Sequence, residues 1–282
     1  MDRLVPNEKS KLEFYSMKIL VTGGAGYVGS KLVPSLLNTG YKVTVLDLMI
    51  YGEDVLDYNE QLTKIKGDIR NQKLLKKILP GHDVVIHLAC ISNDPSFELN
   101  PTLGKSINFD AFEPLVKISR DCNVSRFIYA SSSSVYGIKK EKNVTENLSL
   151  LPISDYNKTK MVAERVILSY KKFFSCYIIR PGTVFGYSEK MRLDLMINIL
   201  TFQAMTKKTI KVFGGKQTRP FIHISDMIDI YIFFLKKNKK PGIYNASYGN
   251  LSALKTAEEI KKIFKKCKIK IMKSNDPRSY RL

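Results

Sequence analysis

The stretch that most constrains this chain is Thr22-Gly23-Gly24-Ala25-Gly26-Tyr27-Val28-Gly29-Ser30, because of what flanks it. Met17-Lys18-Ile19-Leu20-Val21 before it is the apolar opening of a buried strand, and Lys31 to Leu37 after it carries apolar residues at helical spacing. A glycine loop that ends a strand and opens a helix lets the backbone turn sharply and approach a pyrophosphate. The helix N-terminus then offers free amides to the anion, and Gly29 lets helix and strand pack closely. Gly23, Gly26, Tyr27, Val28 and Gly29 are therefore candidate dinucleotide-binding residues.

The chain beyond the loop agrees. Lys42 to Leu46 reads as a second strand ending at Asp47, about twenty residues past the glycines, where a carboxylate accepts both ribose hydroxyls and repels a 2′-phosphate. Leu48-Met49-Ile50 supplies no arginine to neutralise such a phosphate, so NAD is expected over NADP. Lys64 to Ile69 reads as a third strand, with the Asp68 carboxylate set to meet an adenine amino group. A helix over Leu74 to Leu79, a strand over Asp83 to Cys90, a helix over Phe109 to Asp121 and a strand over Arg126 to Ala130 follow. This alternation predicts an α/β fold, a Rossmann-type doubly wound parallel sheet. His87 falls inside an apolar strand and reads as a structural histidine.

Composition narrows the function classes. With 282 residues, 44% of them hydrophobic, the chain buries a sizeable core, and its apolar run Ile230 to Leu235 is too short to span a bilayer. No start resembles a signal peptide, so a soluble, cytoplasmic protein without membrane partners is expected. Cys90, Cys122, Cys176 and Cys267 form no CxxC pair, and His82, His87 and His223 have no metal-ligand spacing; reduced thiols and no metal are expected. The net charge of +20 comes from dispersed lysines whose densest clusters, Lys236 to Lys240 and Lys261 to Lys273, lack interleaved arginines and aromatics. That pattern disfavours a nucleic-acid partner.

Ser154-Asp155-Tyr156-Asn157-Lys158-Thr159-Lys160 opens a predicted helix and sets Tyr156 and Lys160 four residues apart on one face. An ammonium beside a phenol favours the phenolate, so a tyrosine of lowered pKa is expected there.

Together these segments resemble the extended short-chain dehydrogenases/reductases of the NAD-dependent epimerase/dehydratase family, from Met17 to the C-terminus. The resemblance rests on the glycine loop, Asp47, Gly67-Asp68-Ile69, His87-Leu88-Ala89-Cys90 and the serine strand ending in Val135-Tyr136-Gly137. It continues through Tyr156-x-x-x-Lys160, Arg180-Pro181-Gly182-Thr183-Val184-Phe185-Gly186 and Arg219-Pro220-Phe221-Ile222-His223-Ile224-Ser225-Asp226. It implies that Tyr156 is the catalytic acid/base, that Lys160 is its partner and binds the nicotinamide ribose, and that Ser132, five before Gly137, is the catalytic serine. Ile69, Leu88 and Ala89 would join Asp47, Asp68, Tyr156 and Lys160 around NAD. Ser132, Ser133, Thr183, Arg192, Arg219 and Arg278 would face a nucleotide-diphosphate sugar, with Arg219 on the diphosphate.

The departures are informative. Where sugar 4,6-dehydratases carry an Asp-Glu pair that performs elimination, this chain has Ser133-Ser134, whose hydroxyls cannot replace it. Thr183 stands where many sugar epimerases have asparagine. Leu251 to Phe264 reads as an amphipathic helix burying Leu254, Ala257, Ile260, Ile263 and Phe264. The chain ends at Leu282, where family members usually continue with a short helical segment, so a shortened C-terminus is expected.

The organisation expected is an N-terminal extension over 1–16, an NAD-binding region over 17–180 and a smaller C-terminal mixed α/β substrate region over 181–282, with parts of 217–250 returning to the first. The expected function is a nucleotide-sugar epimerase oxidising the 4-position transiently, in surface polysaccharide or glycan precursor synthesis. A nucleotide-sugar dehydrogenase or reductase is the alternative enzyme, and a non-catalytic basic module binding RNA or protein the alternative from another class. By resemblance a homodimer is expected.

Overall fold

Strand β1 (Lys18–Thr22) is buried at every residue after Lys18, as a strand covered on both faces must be. In the computed structural model, which describes residues 17–141, 143–236, 238–274 and Leu282, β1 pairs in parallel with β2 (Lys42–Asp47) and β4 (Val84–His87). The N-terminal extension 1–16 and Arg278 lie outside the described residues. Adding β3 (Leu62–Lys66), β5 (Arg126–Ala130), β6 (Ser175–Pro181) and β10 (Gly242–Ala246) gives a seven-stranded sheet in the order β10-β6-β5-β4-β1-β2-β3, parallel throughout. The chain leaves β1 in one direction and returns to its other side with β4. That reversal opens a crevice at the carboxyl ends of the two strands, the place where such sheets bind ligands.

Alternate residues of β1 feed separate cores. Ile19 and Val21 pack under helices α1 (Gly29–Asn38) and α8 (Ile224–Leu235), while Leu20 packs under α5 (Phe112–Asp121) and α6 (Asp155–Ser169). The remaining chain makes a three-stranded sheet, β11-β9-β7 (Gly249–Ser252, Thr218–His223, Thr183–Phe185), and the parallel pair β12-β8 (Lys268–Met272, Thr209–Phe213). Helices α7 (Met196–Lys207) and α9 (Ala253–Ile263) share a third core with β8.

Three local expectations are corrected. The third strand stops at Lys66 and Gly67-Asp68-Ile69 is loop, turned by a Gly67 N–H donated to Asp47 O at 2.8 Å. The helix expected from Phe109 starts instead as a π-helical turn, Ser106–Asp110, before α5. There the Asn108 amide grips the Ile91 peptide from both sides, accepting from its N–H at 2.8 Å and donating to its carbonyl at 2.9 Å. Helix α9 buries Ala253, Thr256, Ala257 and Ile260, leaving Leu254 half-buried and Ile263 77% exposed. Its contact face is set by α7 and β8, and lies about one residue round from the stripe of largest hydrophobes.

A buried ion pair joins helix α6 to strand β6. Arg180 on β6 donates through Nε to Glu164 Oε1 at 3.0 Å and through Nη2 to Oε2 at 2.6 Å, and both side chains are 2% exposed. Ser131 also donates to Glu164, and the third guanidinium nitrogen reaches Tyr136 Oη at 2.7 Å. Burial opposes the Arg180 charge, but Glu164 and Tyr136 outweigh it and hold its pKa above the usual value. Replacing Glu164 by Ala strands the guanidinium without its counter-charge, so denaturant unfolding is expected to show a loss of about 3–5 kcal/mol.

Candidate active site

The glycine loop fits the close approach of a pyrophosphate. Gly23 has φ +75°, and a Cβ there would lie 2.6 Å from the Ala89 amide nitrogen; one on Gly29 would lie 2.6 Å from the Gly23 carbonyl oxygen. The N-terminus of α1 carries no side-chain cap and no acidic residue in its first turn, which leaves it electropositive. Asp47 braces the loop: its Oδ2 accepts from Ala25 N at 3.1 Å and its Oδ1 from Met49 N at 2.9 Å, leaving lone pairs for ribose hydroxyls. This cradle fits NAD. Asp68 lines the same cleft with its carboxylate engaged by Arg70, chiefly through a side-chain hydrogen bond that lowers its pKa. Tyr27 also lines it, but turns its hydroxyl away to donate to Gly186 O at 2.7 Å.

Across the crevice, α6 begins where predicted. Ser154 caps it, Oγ accepting from Asn157 N at 3.2 Å, and donates its own hydroxyl to Asp94. Tyr156, Lys160 and Glu164 then fall on successive turns of one face. The Lys160 ammonium donates to Ala130 O at 2.8 Å, and lies 5.0 Å from the Tyr129 ring centre and 5.9 Å from that of Tyr156. The expected lowered phenol is corrected: the Tyr156 pKa is raised above 10.0, first by burial and then by Cys90 and Asp94, against the lowering effect of the Asn93 backbone and Arg192. Lys160 spends its charge on the end of β5 rather than on the phenol oxygen, and burial wins. Ser132 is half-buried at the cleft, with Oγ 2.7 Å from Ser134 Oγ; Ser133 is buried beside it.

The opposite wall is a strap, residues 186–194. Ser188 Oγ lies 2.6 Å from Ser30 Oγ, Glu189 pairs with Lys31 at 3.6 Å, and Lys190 Nζ sits 3.2 Å over the Tyr51 ring. Arg192 is paired with Asp194 and donates to Ser92, while Asn93 Nδ2 donates to Asp194 Oδ2 at 2.7 Å. Asn93 holds φ +74°, a strained conformation for a non-glycine residue. Thr183 on β7 and Arg219 on β9 face the cleft from the small sheet.

The cleft measures about 880 Å³ and is lined by every described residue that the sequence nominated: Gly23, Gly26, Tyr27, Val28, Gly29, Asp47, Asp68, Ile69, Leu88, Ala89, Ser132, Ser133, Tyr156, Lys160, Thr183, Arg192 and Arg219. Sequence reasoning missed Asn93, Asn157, Glu164 and Asp194. Only Asn93 carried a signal, the turn-forming Asn93-Asp94-Pro95. Among the described residues no group of three or more His, Cys, Asp or Glu converges as a metal site, and no helix is long and apolar enough to cross a membrane.

His87 is structural. Its Nδ1 lies 2.7 Å from Thr22 Oγ1, its ring packs against Phe112 and Tyr129, and burial, helped by Lys160, lowers its pKa from 6.5 to about 3.

Comparison with known proteins gives a consistent result. The model of the NAD dependent epimerase/dehydratase family matches residues 19–247. A UDP-glucose 4-epimerase of Lactobacillus helveticus is 30% identical, covering 86% of this chain and 82% of the relative. A dTDP-D-glucose 4,6-dehydratase of Bos taurus is 29% identical over 89% of this chain and 74% of that one. The crystal structure of a UDP-glucuronic acid 4-epimerase from Bacillus cereus, in complex with UDP-glucuronic acid and NAD, superposes with a TM-score of 0.82 at 32% identity, covering 92% of this chain and 87% of that one.

Two outcomes are expected from this geometry. Gly29→Ala pushes a methyl into the loop carbonyls, and titration calorimetry should show NAD affinity reduced about tenfold or more while the other cleft residues are untouched. An unfolded chain takes up a proton at His87 below pH 6.5 that the folded one refuses until about pH 3, so this histidine's stabilising contribution is present above 6.5 and lost as pH falls through that window. Melting curves of His87→Asn should accordingly vary less with pH between 6.5 and 4 than those of the parent.

Proposed function

Because the chain belongs to the NAD-dependent epimerase/dehydratase family of extended short-chain dehydrogenases/reductases, we propose that it is a nucleotide-sugar 4-epimerase. The observation that carries this reading is the meeting, in one cleft, of Ser132, Tyr156 and Lys160 with two arginines, Arg192 and Arg219, and the glycine loop of a dinucleotide site. UDP-sugars come first among candidate substrates, since the Lactobacillus and Bacillus cereus relatives are UDP-sugar 4-epimerases. The product would feed surface polysaccharide or glycan precursor synthesis.

In this reading Arg192 and Arg219 hold the diphosphate by charge-assisted hydrogen bonds. Tyr156 Oη takes the proton of the sugar 4-hydroxyl, with Ser132 Oγ hydrogen-bonded to the same oxygen. Bound NAD would supply the hydride acceptor and, oxidised, a positive charge beside the phenol. Burial raises the Tyr156 pKa, so the phenol must first lose its own proton to solvent, which the positive charge of bound NAD would favour; the proton the phenolate then takes from the sugar is the one it returns to the 4-oxygen after the keto sugar has turned over. Lys160, fixed on Ala130 O, would hold the nicotinamide ribose of bound NAD. Ser133 and Ser134 offer no carboxylate to take a proton from carbon five, which supports epimerisation over dehydration.

The test is incubation of the purified protein with UDP-, dTDP-, GDP- and CDP-sugars, with products followed by NMR. Inversion at carbon four is the expected outcome, and Tyr156→Phe should lower kcat by about 10²–10⁴-fold while leaving nucleotide-diphosphate affinity within a few-fold. Accumulation of a keto sugar would replace epimerisation with net oxidation, a 6-deoxy-4-keto product would replace it with dehydration, and no turnover would overturn the reading.

A further inference from the structure

The small unit made of α7, β8, α9 and β12 carries a charge distribution that the cleft does not use. Residues 205–216 and 260–273 hold eleven lysines and no Asp, Glu or Arg. All eleven are exposed, and none lines the cleft. A helix C-terminus attracts cations, which accounts for Lys207 at the end of α7 and for Lys261 and Lys262 at the end of α9. The other eight lie outside both helices. Among the described residues, only Lys262 of the eleven meets a carboxylate, Glu259 at 2.8 Å.

The fold gathers these charges. Helix α7 turns directly into β8 and α9 into β12, and because the two strands pair in parallel, both turns lie at the same end of the unit. Lys268 N–H donates to Lys208 O at 3.0 Å and fastens one turn to the other. Further along the pair, Lys270 stands beside Lys211 in register, both exposed, and like charges on neighbouring strands repel. A layer of anionic groups would relieve that repulsion.

The same end presents large aliphatic side chains to water. Met205, in the last turn of α7, is 62% exposed, and Ile263, the last residue of α9, is 77% exposed. Their neighbours Ala204 and Ile260 make the helix packing, so neither Met205 nor Ile263 is part of that core. A lysine is a hydrated point charge on a flexible apolar stem, which suits a diffuse anionic layer, whereas the guanidinium fork that grips single phosphates of a nucleic acid is missing from both segments. Aliphatic side chains among such lysines have a place at the boundary between lipid headgroups and acyl chains, and none along a phosphodiester backbone.

We propose that this end of the unit docks the protein reversibly on a bilayer surface carrying anionic phospholipid, with the lysines in the headgroup layer and Met205 and Ile263 reaching below it. Docking of this kind needs no membrane-spanning helix. It is independent of which sugar the cleft turns over.

The experiment is co-sedimentation of the full-length protein with vesicles of phosphatidylcholine alone and of phosphatidylcholine mixed with phosphatidylglycerol, at low and at raised salt. Binding to the anionic vesicles alone is expected, weakening as salt is raised. Each lysine at such a surface contributes about fivefold, so Lys265→Gln, Lys266→Gln and Lys268→Gln together should lower binding about a hundredfold. Lys73→Gln, Lys76→Gln and Lys77→Gln, an equal charge change at exposed positions of the helix Gln72–Ile78, should lower it by less than about threefold. Met205→Ser with Ile263→Ser should cost about tenfold. A thermal melt accompanies each variant, and Lys208→Gln with Lys211→Gln repeats the charge test should the first set fail to fold. The proposal is overturned by no sedimentation with anionic vesicles, by equal sedimentation with phosphatidylcholine alone, or by equal losses in the two lysine sets, which would make net charge and not this surface responsible. It is also overturned if duplex DNA or polyglutamate, at matched charge concentration, strips the protein from the vesicles, since the preferred partner would then be a polyanion in solution.

Discussion

The Arg180–Glu164 ion pair is the contact on which the rest of the site depends. Two charges out of water are a net liability unless their geometry is good and their remaining hydrogen-bonding capacity is filled. Here Ser131, Tyr136 and the Glu146 carbonyl fill it. Glu164 lies one turn beyond Lys160 and two beyond Tyr156, so fixing the carboxylate against β6 fixes the rotation of the whole face. The phenol and the ammonium are aimed by a charge pair that neither ligand would touch. Tyr136 extends the arrangement to Asn245 on β10 at 2.8 Å, so the edge of the sheet is held by the same polar cluster.

The cleft has a second constraint on its other side. The strap over 186–194 touches the helix after the glycine loop, the loop after β2 and the loop after β4 in turn. Its contacts are side-chain hydrogen bonds, one ion pair and two cation–π contacts, Lys190 over Tyr51 and Lys31 over Tyr187, rather than a hydrophobic core. The exposed ones, Glu189–Lys31 among them, are individually weak and exchange readily with water, whereas the Ser188–Ser30 contact is buried. The wall carrying Arg192 is therefore the soft side of the cleft, and the wall carrying Tyr156 and Ser132 the stiff one.

Much of this was legible in the sequence, for a definable reason. The glycine loop, Asp47 and the Tyr156–Lys160 pair are local patterns: each is set by backbone conformation or helical spacing over a few residues, and spacing is what a sequence displays. The partners that tune them are not local. Asn93 meets Asp194 across 101 positions and Tyr136 meets Asn245 across 109, and nothing in either segment announces the other. The phenol of Tyr156 illustrates the limit best. Its neighbour Lys160 was readable and pointed to a lowered pKa, but burial and the direction of the ammonium decide the sign, and both belong to the folded chain. The buried face of α9 was missed for a similar reason, since Ile263 satisfies the helical period but meets no facing element.

The pairing of β10 with β6 has a consequence for how such a molecule comes into being. A ribosome delivers β6 some sixty residues before the strand that covers it, the register joining Tyr177 to Gly242 and Pro181 to Ala246. During that interval β6 is an open edge, its peptide groups unpaired and able to recruit another nascent chain. The strap, β7, α7, β8 and β9 are all made in the meantime. The main sheet is thus sealed against its neighbours only after β7, β8 and β9 have been made, with β11, α9 and β12 still to follow.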